Sequence, residues 1–172
     1  EWLDRRHLRF MDHVVCVSDG QAEKVRRWCR VPASRMSVIR NSARLNAFER
    51  ADPLARVRVL DFFPRAAGVS KVVVGAGRFS PEKGFGVLVE ASAAICHDPA
   101  AGVALFGEGT LRADLQRQVA KLGLTGRVVL PGFRSDLDQL IGAADVVVLP
   151  SYTEGLPNVA LEASAAGVPV VA

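Results

Sequence analysis

The chain has 172 residues, 49% of them hydrophobic and 23% charged, which is enough apolar material for a real core and excludes the disordered and fibrous classes. Its net charge of +4 leaves nucleic acid, an anionic membrane surface and an anionic substrate open as partners, but aromatics are only 6%, too few for stacking platforms, and no zinc-finger spacing occurs, so no nucleic acid is expected. No apolar run is long enough to span a membrane, none has the pattern of a secretory signal, and Cys16, Cys29 and Cys96 fit no metal-ligand spacing; reduced thiols in a cytoplasmic protein fit these facts best.

Along the chain, Trp2–Phe10 reads as part of a structured region and His13–Ser18 as a short strand. Ser18, Asp19 and Gln21 form a capping signature ahead of an amphipathic helix, Gln21–Cys29, and Ser37–Arg40 is a second strand. Basic clusters at Arg5, Arg6 and Arg9 and at Lys24, Arg26, Arg27 and Arg30 read as solvated helix faces, with peripheral contact to the inner face of a membrane as their alternative use. Residues 41–70 keep no steady period and carry Pro53 and Pro64; they read as a connector with one helix near Leu54–Phe63.

From Lys71 strands and helices alternate. The expected strands are Val72–Val74, Gly102–Phe106, Arg127–Leu130, Asp145–Leu149 and Val168–Ala172. The expected helices are Gly84–Cys96, Thr110–Leu122, Leu137–Ala144 and Asn158–Ala166, with Gly123 and Gly167 closing two of them. This is an α/β protein with a Rossmann-like, doubly wound parallel sheet over 71–172, preceded by the tail of a second α/β domain over 1–44 and a connector over 45–70. Glu1 in place of an initiator methionine, and a terminal Gly167–Ala172 run that starts a buried strand, predict an excerpt of a longer protein.

In such sheets ligands bind beyond the carboxyl ends of the strands, so chemistry is sought there. Gly75-Ala76-Gly77-Arg78 follows the first strand of this domain, and Pro81-Glu82-Lys83-Gly84 opens the next helix. A helix N-terminus with Arg78 and Lys83 is a seat for a diphosphate; a plain turn with two surface cations is the competing account. The segment is neither a Walker loop nor a complete GxGxxG fingerprint. Gly107-Glu108-Gly109 repeats the Gly-rich turn after the second strand, where a purely structural turn is favoured. Glu154 in the Ser151–Asn158 loop and Glu162 in the following helix stand eight positions apart and can face one crevice, where carboxylates accept hydrogen bonds from sugar and ribose hydroxyls. Pro157 suits a first helical position. Favourable acids near a helix N-terminus account for Glu154. They account poorly for Glu162, which stands among Ala, Leu and Val and needs a partner.

Taken together, Val74–Arg78, Pro81–Gly84, Gly107–Gly109, Val128 with Gly132-Phe133, and Ala144-Asp145 through Leu149–Ser151, Glu154–Pro157, Glu162-Ala163 and Ala166–Ala172 resemble the retaining glycosyltransferases of GT-B fold with a Glu-x7-Glu motif, the glycosyl transferases of group 1. Asp12–Val14 with Val17-Ser18, and Val38–Asn41, resemble the last strands of that family's N-terminal acceptor domain. The resemblance implies transfer of a sugar from a nucleoside diphosphate sugar to a sugar or lipid-linked acceptor, with retention by same-face attack. It implies that Arg78 and Lys83 hold and stabilise the leaving diphosphate, that Glu154 binds the donor sugar and that Glu162 binds the ribose. The Gly155-Leu156-Pro157 backbone would contact sugar and phosphate, with Gly77, Gly107 and Asn158 completing the donor site and Gly132-Phe133-Arg134 beside the nucleobase. No cofactor and no metal are expected, because cations and helix dipoles take the metal's electrostatic place. Taken alone, the excerpt is expected to bind donor weakly without turnover. A nucleotide-sugar 2-epimerase of the same fold and a non-catalytic binding module are the rival readings.

Asn41-Ser42-Ala43-Arg44 stands where the family often has Asn-Gly-Val-Asp, so the hinge lacks that glycine and that acid. Asp136-Leu137-Asp138 spells an Asp-x-Asp pattern, but acids in a first helical turn are expected from the helix dipole. His7, His13 and His97 have no metal or triad spacing.

Overall fold

The computed structural model describes residues 7–43 and 53–172. They fall into two compact units: one of residues up to Ser42 together with Glu154–Asn158, the other of Ala43–Thr153 with Val159–Ala172.

In the first unit, β1 (Val14–Cys16) pairs in parallel with β2 (Met36–Val38), and α1 (Asp19–Cys29) crosses between them. The predicted cap is present. Ser18 Oγ accepts from the Gln21 amide at 3.2 Å, satisfying one orphan donor of the first turn, and Gln21 Oε1 accepts from the amide of Val17, just ahead of the cap, at 2.9 Å. Val14, Cys16, Cys29 and Val31 form the small core. Arg30 ends α1 in a left-handed conformation and is the one non-glycine residue with positive φ among the described residues. Ser42 therefore does not reproduce a glycine-type hinge.

The second unit is a five-stranded parallel sheet in the order β5-β4-β3-β6-β7. Its strands are β3 (Lys71–Ala76), β4 (Ala101–Phe106), β5 (Val128–Gly132), β6 (Val146–Val148) and β7 (Val170–Val171). The helices are α2 (Pro53–Leu60), α3 (Phe85–Ile95), α4 (Arg112–Lys121), α5 (Leu137–Ile141) and α6 (Asn158–Ala165). Every expected strand and helix of this domain is present, with ends shifted by at most three residues. Two faces bury the sheet, which is why its strands read as continuous apolar runs. Val72, Val74, Ala76, Ala104 and Phe106 point to a layer containing α2 and α5 residues, whereas Val103 and Leu105 meet Leu88 and Val89 of α3 and Leu115 and Val119 of α4.

The connector expected over 45–70 falls partly outside the described residues. Those up to 52 are not among them, and the described stretch from Pro53 packs within the second unit. Ala55, Val59 and Phe63 are buried against the sheet. Arg56 donates to the carbonyls of Ala143 and Ser70 and to Asp145 Oδ2, and that same Oδ2 accepts from the Val72 amide at 2.6 Å. One guanidinium and one carboxylate thus tie α2 to the entrances of β3 and β6. No helix among the described residues is long and apolar enough to cross a membrane.

Candidate functional site

The strand order places the topological switch between β3 and β6: β4 and β5 build outward on one side, β6 and β7 on the other. Beyond a switch point the loops diverge and leave a crevice. Here a cleft of about 410 Å3 opens at the carboxyl ends, lined by Gly77 and Arg78 after β3, by Phe106, Gly107 and Glu108 after β4, and by Phe133 and Arg134 after β5. Leu137 and Val159 complete its wall.

Backbone hydrogen bonds lock these loops to one another. The Gly77 amide donates to Phe106 O at 3.0 Å, and the Gly107 amide to Gly132 O at 2.9 Å. The Phe79 amide donates to Glu108 O at 2.8 Å, and the Leu111 amide to Phe79 O at 3.1 Å. Gly107 has φ +140°, and a Cβ there would lie 1.9 Å from Gly77 O. The tight approach of the β3 and β4 exits therefore needs this glycine. Phe79 is fully buried beneath them and meets Phe85 edge-on at 5.1 Å.

The turn expected to seat a diphosphate is not a simple strand-to-helix junction. Pro81–Lys83 forms a separate 3-10 turn, Gly84 takes φ +62°, and α3 begins only at Phe85. The Lys83 amide closes the turn on Ser80 O at 3.0 Å, and Ser80 Oγ donates to Glu82 Oε1 at 2.6 Å. That hydroxyl, with the Glu82 backbone and then the charges of Arg78 and Lys83, holds the Glu82 carboxyl below the ordinary glutamate value. A Cβ on Gly84 would lie 2.1 Å from Pro150 O, and the Tyr152 amide donates to Glu82 O at 3.0 Å. The turn carrying Lys83 is thereby fastened to the segment leaving β6. Arg78 is exposed and lines the cleft; Lys83 is half-buried.

On the far wall, Phe133 is 74% exposed, an apolar ring held out at the cleft edge. Arg134 lines the same wall but is not a loose cation. Its Nε and Nη2 each donate to Asp136 at 2.8 Å, and its guanidinium lies 5.7 Å from the Phe62 ring centre. The pairing with Arg134 is the main reason the Asp136 carboxyl titrates below the usual aspartate range. Asp136 is thus engaged in a fork with arginine, and no cluster of three or more metal-ligating side chains occurs among the described residues.

Glu162 lies on the second turn of α6 and is half-buried. Among the described residues its carboxyl makes no hydrogen bond or ion pair. Burial first, and then the nearby Asp138 charge, raise its pKa above the ordinary 4.5. A carboxyl with a raised folded-state pKa adds stability that is fully present below 4.5 and is lost as pH rises through the folded value. At neutral pH the ionised Glu162 therefore opposes folding. Glu162→Gln is expected to raise the melting temperature at pH 7 and to lose that advantage below pH 4.5, which thermal melts of both forms across pH check. Glu154 is exposed, Gly155, Leu156 and Pro157 are half-buried, and Asn158 is the exposed first residue of α6, so Pro157 precedes the helix instead of opening it.

Two supporting residues escape a linear reading. Arg112 donates to Glu108 Oε1 at 2.9 Å and to Leu130 O at 2.8 Å, bracing the Gly107-Glu108 turn against β5. Its four-residue spacing from Glu108 was the available signal. Phe62 stacks edge-on against Phe106 at 5.5 Å and carries Arg134; nothing in its local sequence marks it.

A doubly wound parallel domain with its cleft at the strand exits is the Rossmann-like class. Within that class the chain belongs to the glycosyl transferases group 1 family, whose model matches residues 60–172. A curated relative, the lipopolysaccharide core biosynthesis glycosyltransferase LpsE of Rhizobium meliloti (strain 1021), is 35% identical over 170 residues, covering 96% of this chain and 45% of LpsE. The crystal structure of Anabaena HepE in complex with UDP and glucose matches with a TM-score of 0.82 at 29% identity, over 95% of this chain and 45% of HepE. WaaG, a glycosyltransferase involved in lipopolysaccharide biosynthesis, shares the fold with a TM-score of 0.73 at 21% identity, over 91% of this chain and 42% of WaaG. These neighbours have the GT-B fold, and the chain spans less than half the length of the relatives it matches.

Proposed function

We propose that the protein containing this chain transfers a sugar from a nucleoside diphosphate sugar to an acceptor, with retention of configuration, and that 71–172 is most of its donor-binding domain. The observation that carries the reading is the cleft at the carboxyl ends of β3, β4 and β5, with Arg78 on one wall and the outward Phe133 ring on the other. An exposed aromatic ring suits a nucleobase face and an arginine suits phosphate oxygens. Arg78 and Lys83 bind the diphosphate and offset the charge it gains as the glycosidic bond breaks, a role that needs no metal. Glu162 accepts the ribose hydroxyls. Glu154 and the Gly155–Pro157 backbone take the sugar. Retention follows if the acceptor attacks from the face the diphosphate leaves.

The likeness to HepE, solved with UDP and glucose, makes a uridine diphosphate hexose the first donor to test. LpsE acts in lipopolysaccharide core biosynthesis, and another relative, the Escherichia coli UDP-Gal:alpha-D-GlcNAc-diphosphoundecaprenol alpha-1,3-galactosyltransferase, is 28% identical over 178 residues. A sugar or lipid-linked acceptor fits both. Cytoplasmic residence with peripheral membrane contact through the exposed Arg26 and Arg27 of α1 fits a lipid-linked one.

A donor and acceptor screen on the full-length protein tests the reading. Sugar transfer to an added acceptor is expected. A changed sugar nucleotide formed without acceptor would establish the epimerase instead, and nucleotide binding without any product would establish a non-catalytic module. Phe133→Ala is expected to weaken nucleoside diphosphate binding roughly tenfold by removing a stacking face. It should leave the melting temperature within about 3 °C of wild type, because the ring is already exposed. Calorimetric titration and a thermal melt check it.

A further inference from the structure

The loop that carries Glu154 is seated in the first unit by contacts that linear motifs do not predict. Asn41 Nδ2 donates to Leu156 O at 2.8 Å across 115 residues of sequence, in a part-buried setting. Beside it, a Cβ on Gly155 would lie 2.8 Å from Val17 Cγ2 and 3.6 Å from the Gln21 carboxamide. Gln21 is itself fixed by the cap of α1, through its Oε1 and the Val17 amide. The backbone of the loop thus rests on Val17 with no spare room, and one side-chain donor fixes the direction of its central carbonyl. A peptide carbonyl held in one direction fixes its whole peptide plane, here the one shared with the Pro157 ring nitrogen, which has no N–H to donate; it thereby limits ψ of Leu156 and the path of the loop on either side.

We propose that Asn41 is a positioning residue for sugar transfer: its carboxamide holds the Leu156 carbonyl so that the Glu154–Pro157 loop keeps the geometry that receives the donor sugar. This rests on the proposed glycosyltransferase function. Asn41 is not among the residues that line the cleft of Arg78, Phe133 and Arg134, so its loss is expected to act on the sugar and not on the nucleotide.

The test uses the full-length protein and three measurements. Asn41→Asp keeps the size of the side chain and replaces its donor with an acceptor that repels the Leu156 carbonyl. We expect its transfer kcat to fall by roughly tenfold or more, the scale of a lost part-buried hydrogen bond that leaves a repulsive pair. Calorimetric affinity for uridine diphosphate should stay within about twofold, since no nucleotide contact changes. Hydrogen exchange of the amides of residues 154–156 and 158 in ligand-free protein should speed up. Gly155→Ala should reproduce the loss by crowding Val17, and Val17→Ala in the same chain should recover part of it, because the added methyl then has room. Wild-type kcat and unchanged exchange in Asn41→Asp would overturn the proposal. So would equal loss of uridine diphosphate affinity and of kcat with a lowered melting temperature, which marks a merely structural residue. Wild-type protein that binds uridine diphosphate but transfers no sugar, with loop exchange still accelerated in Asn41→Asp, would overturn the transferase reading and with it the catalytic half of the proposal, while confirming the seat itself.

Discussion

Arg78→Ala and Lys83→Ala are each expected to cut sugar transfer by the full-length protein about 100- to 1000-fold, with melting temperatures within a few degrees of wild type. The leaving diphosphate gains charge as the glycosidic bond breaks, and fixed cations aimed at it lower the barrier more than they tighten the ground state. Arg78 is exposed at the cleft, so truncating it removes little packing. Lys83 rides on a turn held by backbone bonds from Ser80, Glu82 and Tyr152, and those bonds survive its truncation. Steady-state kinetics separate the cases. A fall in kcat shows stabilisation of the transition state, whereas a rise in KM alone would show that the cations only bind the donor. Lys83→Arg keeps the charge but not the compact ammonium, and should recover only part of the rate.

Gly107→Ala is the substitution expected to damage the fold most. The added Cβ would stand 1.9 Å from Gly77 O, in a backbone conformation of φ +140° that side chains rarely adopt. Neither partner is the end of a flexible side chain, so relief requires the β3 and β4 exits to separate. That breaks the bonds from the Gly77 amide to Phe106 O and from the Gly107 amide to Gly132 O. A loss of about 3 kcal/mol in urea unfolding is expected, together with loss of the cleft. Gly86→Ala is the matched control. Gly86 lies in α3 with Gln118 Oε1 as its nearest neighbour at 3.6 Å, so alanine there should leave stability unchanged or raise it by about 0.5–1 kcal/mol. Equal losses in both variants would show that the clash at Gly107 is not what matters.

The sheet was legible in the sequence because it is buried on both faces. Val72, Val74, Val103, Leu105 and Val147 are nearly inaccessible, and their uninterrupted apolar character leaves no other element to fit. The cap at Ser18 was legible because its chemistry is local. What stayed hidden depends on distance or on detailed turns. The apolar positions of α2, Leu54, Ala55, Val57, Val59 and Leu60, make no clean stripe, so nothing local revealed that Ala55 and Val59 belong to the core. The separate turn at Pro81–Lys83 follows from the left-handed Gly84 under Pro150, a contact between segments more than sixty residues apart. Arg134 could be placed near the cleft but not committed to Asp136, because a bidentate fork two residues away competes with any ligand for the same donors. In sequence, Glu162 reads as an acid in need of a partner. Among the described residues it has none, and its raised pKa is the physical mark of that unmet need.

The central claim is that the cleft at the carboxyl ends of β3, β4 and β5 holds a nucleoside diphosphate. Calorimetric titration of the full-length protein with uridine diphosphate, in parallel with Arg78→Ala, tests it most directly. Saturable one-site binding by the wild type, weakened at least roughly tenfold in Arg78→Ala, is the predicted result. Equal affinity in the two proteins, or no binding of uridine, guanosine or adenosine diphosphate by the folded wild type, would contradict it.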